Sequence, residues 1–152
     1  MFQFRAFLKY WLPVLLWMAI IFSFSSDTHS EQHSAGLFEP FLLWFFPHLS
    51  HSTVEIVHHL FRKCCHLTEY AVLGLLVWRA LHGPRGYLPA WSWPKVGGTL
   101  LIVFIYASTD EFHQVFVPSR TPMISDVFID TAGGAIGLLV LWIVHLRKRS
   151  SP

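Results

Sequence analysis

"GGTLLIVFIYASTDEFHQVFVPSR", residues 97–120, starts as a run of lipid-compatible side chains and ends in two acids, a histidine, a glutamine and an arginine. The apolar part, taken from about Val96 to Phe116, is close to the roughly 20 residues that a bilayer crossing needs. Its charge is therefore gathered at one end of a membrane helix. A carboxylate placed there is normally paired, protonated or functional. The fold expected from this stretch is a bundle of helices that encloses such groups.

Composition agrees. The chain has 152 residues, 53% of them apolar and 13% charged, whereas soluble domains carry about a quarter charged residues. Seven Trp and fourteen Phe suit lipid contact and interfacial belts better than a small soluble core. No basic run is interleaved with aromatics, which excludes nucleic acid as a partner. Cys64 and Cys65 are adjacent and fit neither a disulfide framework nor a zinc spacing. They read as small apolar residues in a helix.

Four apolar segments are expected to span: 8–24, 64–81, 96–116 and 124–146. The first has a basic start and a weak small-residue site at "SFS" (23–25), features of a cleaved leader. Its length, and Trp11, Pro13 and Trp17 within it, favour a retained span. "LFEPFLLWFFP" (37–47) is too short to cross and is expected to be interfacial or re-entrant. "STVE" (52–55) has the spacing of a capping box, with Ser52 three residues before Glu55. A helix from there to Leu81 would exceed the bilayer thickness and project from it. The fold class is thus all-α, a single polytopic domain over 1–152 with four transmembrane helices and one interfacial or re-entrant segment.

With the N-terminus in the cytoplasm, Arg5, Lys9, Arg79, Arg85, Lys95, Arg147, Lys148 and Arg149 fall inside and Arg62, Lys63 and Arg120 outside. That asymmetry satisfies the positive-inside rule with both termini cytoplasmic. Every acid then lies in the outer half, as do all histidines except His82 and His145. The polar groups come from every segment: Ser25, Ser26 and Asp27 from the first, Lys63, His66 and Glu69 from the second, Asp110 to Arg120 from the third, Asp126 and Asp130 from the fourth.

Helical spacing puts Lys63, His66, Tyr70 and Gly74 on one face, with Glu69 beside it. Tyr106, Asp110, His113 and Gln114 share a face of the next span. Asp126, Asp130, Gly134 and Gly137 form a stripe on the last, where "GGAIG" (133–137) supplies a small-xxx-small pattern for close helix contact. Asp130 lies about 9 Å along the helix from Ile124. A charge at the centre of a bilayer costs on the order of 3 kcal/mol on insertion scales. These acids are expected to face the bundle, in an outward-opening pocket formed by Lys63, His66, Glu69, Tyr70, Asp110, Glu111, His113, Gln114, Arg120, Asp126 and Asp130. The bland alternative is an ion-pair network that only orients the helices.

At these residues the chain resembles the VanZ-like family of bacterial membrane proteins. "KCCHLTEYAVLG" (63–74) resembles its K-x-x-H-x-x-x-Y-x-x-L-G pattern. "DEFHQVFVPSR" (110–120) followed by "SDVFIDTAGGAIG" (125–137) resembles its second signature, and "FSSD" (24–27) the end of its first span. Ser119 stands where the family usually has Gly; Gly after Pro118 suits a type II turn, Ser a type I. The resemblance implies a multi-pass bacterial inner-membrane protein. It also implies an association with low-level tolerance of teicoplanin, a glycopeptide acting on cell-wall precursors outside the membrane.

Two functions from different classes follow. In one, a non-enzymatic envelope protein holds a lipid-linked or cell-wall group, with Arg120, Lys63 and the start of the last helix as anion donors. In the other, a membrane-embedded hydrolase or transferase acts on a lipid head group. A divalent metal on candidates His66, Glu69, Asp110, His113, Asp126 and Asp130 would serve it, because i,i+3 and i,i+4 pairs on facing helices build such sites. No catalytic motif names a reaction, and no cofactor is expected in the first reading. A proton-coupled carrier is disfavoured, because the cytoplasmic half of every span is apolar. The lipid bilayer is the expected partner, and a homo-oligomer is compatible with the sequence.

Overall fold

The computed structural model describes residues 2–25, 31–83, 91–116 and 123–150. They form five helices: α1 (Phe2–Ser25), α2 (Glu31–Phe45), α3 (His51–His82), α4 (Trp93–Gln114) and α5 (Ile124–Ser150). There is no strand among the described residues. Two helices are long and apolar enough to cross a membrane by length and composition, over Phe7–Ser25 and Ile124–Lys148. The apolar windows of α3 and α4 are interrupted by the charged groups already noted.

At 32 residues, α3 would extend about 48 Å against a hydrocarbon core of about 30 Å. It touches every other helix. α5 packs on α3 and α4, and α1 on the same two, while α1 and α5 do not meet among the described residues. The α3–α4 pair is thus held between α1 and α5. Tyr70, Leu73 and Val77 of α3, Val103 and Ala107 of α4, Val14 and Ile21 of α1 and Val127 of α5 make the core. Two long-range bonds pin α1: Trp17 Nε1 donates to the Glu69 carbonyl (2.9 Å) and the Tyr106 hydroxyl to the Met18 carbonyl (2.5 Å).

The start of α3 differs from expectation. Ser50, extended at φ −70° and ψ 152°, is the N-cap, and its hydroxyl accepts from the Thr53 N–H at 3.3 Å. The predicted box of Ser52 and Glu55 does not form, because the helix begins earlier, at His51. Ser52 instead bonds the Ser50 hydroxyl (3.0 Å), and Glu55 lies 3.4 Å from His51. α4 also stops earlier than expected, at Gln114. Val115 and Phe116 follow in i→i+3 bonds to Phe112 and His113, a common tightening of a helix end. α3 terminates at Gly83, whose φ of 58° suits glycine best.

α2, at 15 residues, reaches only about 22 Å. It leans on the first turns of α3, where Phe38 packs against His58 and Phe61 at ring distances of 5.3 and 4.9 Å. Phe41, Trp44, Phe45 and Phe46 are left exposed. At the opposite end of the bundle the Trp78 ring lies tilted against those of His82 and Trp91, and Trp91 approaches Trp142 and His145. Arg79 lies over the Tyr10 ring, 5.3 Å from its centroid. An aromatic, basic layer of this kind matches a membrane interface.

The closest helix contact is between α3 and α5. A Cβ at Gly133 would lie 2.5 Å from the Leu67 carbonyl oxygen, and one at Gly137 2.5 Å from that of Ala71. A Cβ at Gly74 would lie 2.9 Å from the Gly134 carbonyl oxygen, and Gly134 in turn faces Val103 of α4. The expected small-residue contact is present. Gly133 and Gly137 carry it against α3, while Gly134 serves the α4 side as well. Because the opposing atoms are backbone, they yield only if the helices separate. Gly133→Ala and Gly137→Ala should therefore each cost about 1–3 kcal/mol by overpacking, read as a lower melting temperature in detergent. Leu139→Phe on the exposed face of the same helix should leave melting unchanged.

Candidate binding site

Three helices enclose a cavity of about 150 Å³ at the end of the bundle away from the tryptophans. α3 contributes His59, Arg62, Lys63 and His66, a set at i, i+3, i+4 and i+7 that shares one helix face. α4 contributes Glu111 and Gln114. α5 contributes Asp126, Ile129 and Asp130, with Met123 just before its first turn. The α3 wall is basic and the opposite wall is acidic.

At the rim, Lys63 Nζ donates to Asp126 Oδ1 at 3.2 Å, with both side chains about a third exposed. Asp126 also lies in the first turn of α5, where the helix dipole favours an anion. Glu111, largely buried, accepts from the Met123 N–H and so ties the end of α4 to the chain entering α5. Deeper in, His66 Nδ1 lies 3.8 Å from Glu69 Oε2 and 3.9 Å from Asp130 Oδ1. Both separations exceed hydrogen-bond distance, and that nitrogen is buried without a hydrogen-bond partner. Asp130 is 5% exposed.

One turn further along the helices, Glu69, Tyr70 and Asp110 form a second layer outside the cavity lining. Asp110 is 2% exposed and Tyr70 fully buried. Neither Asp110 oxygen nor the Tyr70 hydroxyl has a partner of hydrogen-bond geometry. The Ser25 hydroxyl and the Gln114 amide sit beside Asp110 and bond each other at 2.9 Å. Ser25 is thus part of the site through α1.

The structure brings Lys63, His66, Glu111, Gln114, Asp126 and Asp130 of the expected pocket together around one space. Glu69, Tyr70 and Asp110 lie behind it. His113 is turned the other way, with its ring 4.3 Å from Phe22 of α1 and its Nδ1 buried without a partner. Arg120, Ser119, Ser26 and Asp27 lie outside the described residues. Among those described, no three His, Cys, Asp or Glu side chains meet in an arrangement that could hold a metal ion. The side chains offered as metal ligands are divided between the cavity, the layer behind it and the α1 side. His59 and Arg62 were overlooked from the sequence, although their helical spacing to Lys63 and His66 carries the signal.

Among known proteins, the VanZ/LLP1 family model matches residues 10–145. No curated protein and no solved structure matches the chain.

The burial pattern separates two kinds of charge. Lys63→Met removes the partner of Asp126 and should lower the melting temperature in detergent, because it strands a partly buried carboxylate. Asp110→Asn replaces a buried acid that has no well-formed bond with a neutral group of the same shape. That variant should melt no lower than the parent. A fall as large as that of Lys63→Met would place Asp110 in a closed structural network.

Proposed function

The chain belongs to the VanZ/LLP1 family, and from that premise we propose that it is a multi-pass protein of the bacterial inner membrane whose outward-facing cavity binds a lipid-linked or cell-wall group. Such binding would support low-level tolerance of a glycopeptide such as teicoplanin. The observation that carries this reading is the cavity itself. Three helices contribute charged side chains to one space in a bundle that also exposes hydrocarbon along its helices, including Leu15, Leu16, Leu101, Ile105, Leu139 and Val140. Charges are expensive in lipid and occur there mainly facing a bundle interior or a polar cavity.

In this reading α1, α3, α4 and α5 cross the bilayer. The first turns of α3 project outside, and α2 rests in the outer interface on its aromatic face. Arg5, Lys9, Arg79, Lys95, Arg147 and Lys148 lie at the end opposite the cavity, which supports a cytoplasmic position for that end and an outward one for the cavity. Lys63 and Arg62 supply charge-assisted donors for a phosphate or carboxylate, and Asp130 and Glu111 supply acceptors for an amine or hydroxyl. No residue need react for this role.

Two measurements test it. In a Cys64→Ala/Cys65→Ala background, Ser52→Cys should be labelled by an impermeant thiol reagent from outside the cell and Ser92→Cys only after access to the inside. The reverse pattern removes the proposal. Teicoplanin tolerance of a sensitive strain expressing the protein should then be lost in His66→Gln and Asp130→Asn at unchanged protein level and melting temperature. Loss only in proportion to the amount of folded protein would instead assign these residues to structure.

A further inference from the structure

The polar cavity adjoins a second space. An apolar groove of about 460 Å³ runs between α4 and α5 on the outer face of the bundle. Phe104, Ser108, Phe112 and Val115 form one side and Val127 and Phe128 the other. Glu111 and Met123 line both the groove and the polar cavity, so the two spaces share a wall. Polar space and apolar space thus lie back to back, on either side of the bond between the Glu111 carboxylate and the Met123 N–H, and one lipid straddling that bond would reach both.

We propose that this pair of spaces is a binding site for a membrane lipid whose head group carries both a phosphate and a protonated amine, with one acyl chain lying in the α4–α5 groove. The proposal rests on the reading of the cavity as a site for an envelope lipid group, and narrows it to a class of head and a route of entry.

Charge complementarity selects the head. Arg62 and Lys63 stand on the α3 wall, Glu111 and Asp130 face them, and His66 between them has a buried nitrogen that lacks a hydrogen bond. A purely anionic head would meet the acidic wall and a purely cationic head the basic one. A head with both signs meets each with its complement. Size points the same way. The polar cavity alone falls below the roughly 300–1,000 Å³ of ordinary ligand pockets, and only with the groove does the site reach that range.

The groove fits a chain by length and by medium. From Phe104 to Val115 the helix rises about 16 Å, close to half of a hydrocarbon core about 30 Å thick. An acyl chain gains nothing by leaving lipid for another apolar surface, since lipid is as apolar as the groove. The groove therefore adds no affinity of its own. What it supplies is a path by which the head reaches the cavity without the chain entering water. Selectivity is left to the charged walls.

The experiment uses the full chain in vesicles of equal parts phosphatidylethanolamine and phosphatidylglycerol. These carry a trace of phospholipid with a photoactivatable acyl chain and either head group, and labelled positions are mapped by mass spectrometry. Binding of isotope-labelled glycerophosphoethanolamine, which has no chains, is measured on the detergent-purified protein. Labelling should concentrate on Phe112, Val115 and Phe128 relative to the exposed positions Leu101 and Ile136, and should be several-fold stronger with the ethanolamine head. Ser108→Trp, which fills the groove, should abolish that concentration and leave binding of the soluble head unchanged.

Soluble head bound with labelling uniform over the lipid-facing surface would overturn the groove and leave the cavity reading standing. No soluble binding with uniform labelling would remove both. Groove labelling indifferent to the head group, or loss of soluble binding in Ser108→Trp, would also overturn the proposal.

Discussion

The contact of two backbones, α3 against α5, sets the distances on which the site depends. Leu67 meets Gly133 and Ala71 meets Gly137 in the same register, so the two helices run parallel along this seam. Toward the N-terminal ends of both helices the same seam brings His66 near Asp130 and Lys63 to Asp126. Side chains at the glycine positions would push α5 away, and the 3.2 Å bond between Lys63 and Asp126 would open. Lipid supplies no hydrophobic drive between helices, so this close packing, with the polar contacts beside it, is what can hold α5 in place.

α1 is secured by other means. Among its described side chains, Val14, Ile21 and Ser25 are the fully covered ones. The indole of Trp17 and the hydroxyl of Tyr106 tie it to carbonyl groups across the interface. Interhelical bonds in membrane proteins average about 0.6 kcal/mol, so two of them are an orienting influence more than a clamp. Their geometric effect is larger, because they bring Ser25 beside Gln114 and Asp110 and close the layer behind the cavity.

Much of this was legible in the residues. The stripe of Asp126, Asp130, Gly134 and Gly137 named the buried face of α5, because small residues and acids at helical spacing have no use toward lipid. Lys63, His66 and Tyr70 did the same for α3. Periodicity could not show how the wide polar arc of α4 divides between two neighbours. Glu111 and Gln114 turn to the cavity, while His113 turns to Phe22, and that split depends on where α1 packs. The missed members, His59 and Arg62, lie on the part of α3 read as projecting out of the membrane, where charge needs no explanation. The cap at Ser50 in place of Ser52 reflects a choice among three neighbouring hydroxyls, Ser50, Ser52 and Thr53, that spacing alone cannot rank.

The cavity is satisfied unevenly along its depth. At the rim, Lys63 and Asp126 complete each other, and Glu111 holds the Met123 N–H. At the floor, His66 stands 3.9 Å from Asp130 with its Nδ1 unbonded, and behind it the Tyr70 hydroxyl has no partner among the described residues, while Asp110 has only the adjacent Ser25 and Gln114 side chains at poor geometry. A network built only for stability would be expected to close first where burial is deepest, since an unmet polar group there costs about 1–3 kcal/mol. Here the order is reversed. Unbonded groups sit at the inner end, while the pair at the entrance, Lys63 with Asp126, is about a third exposed and free to exchange partners, which is the distribution that favours a small polar group drawn inward past an ion pair.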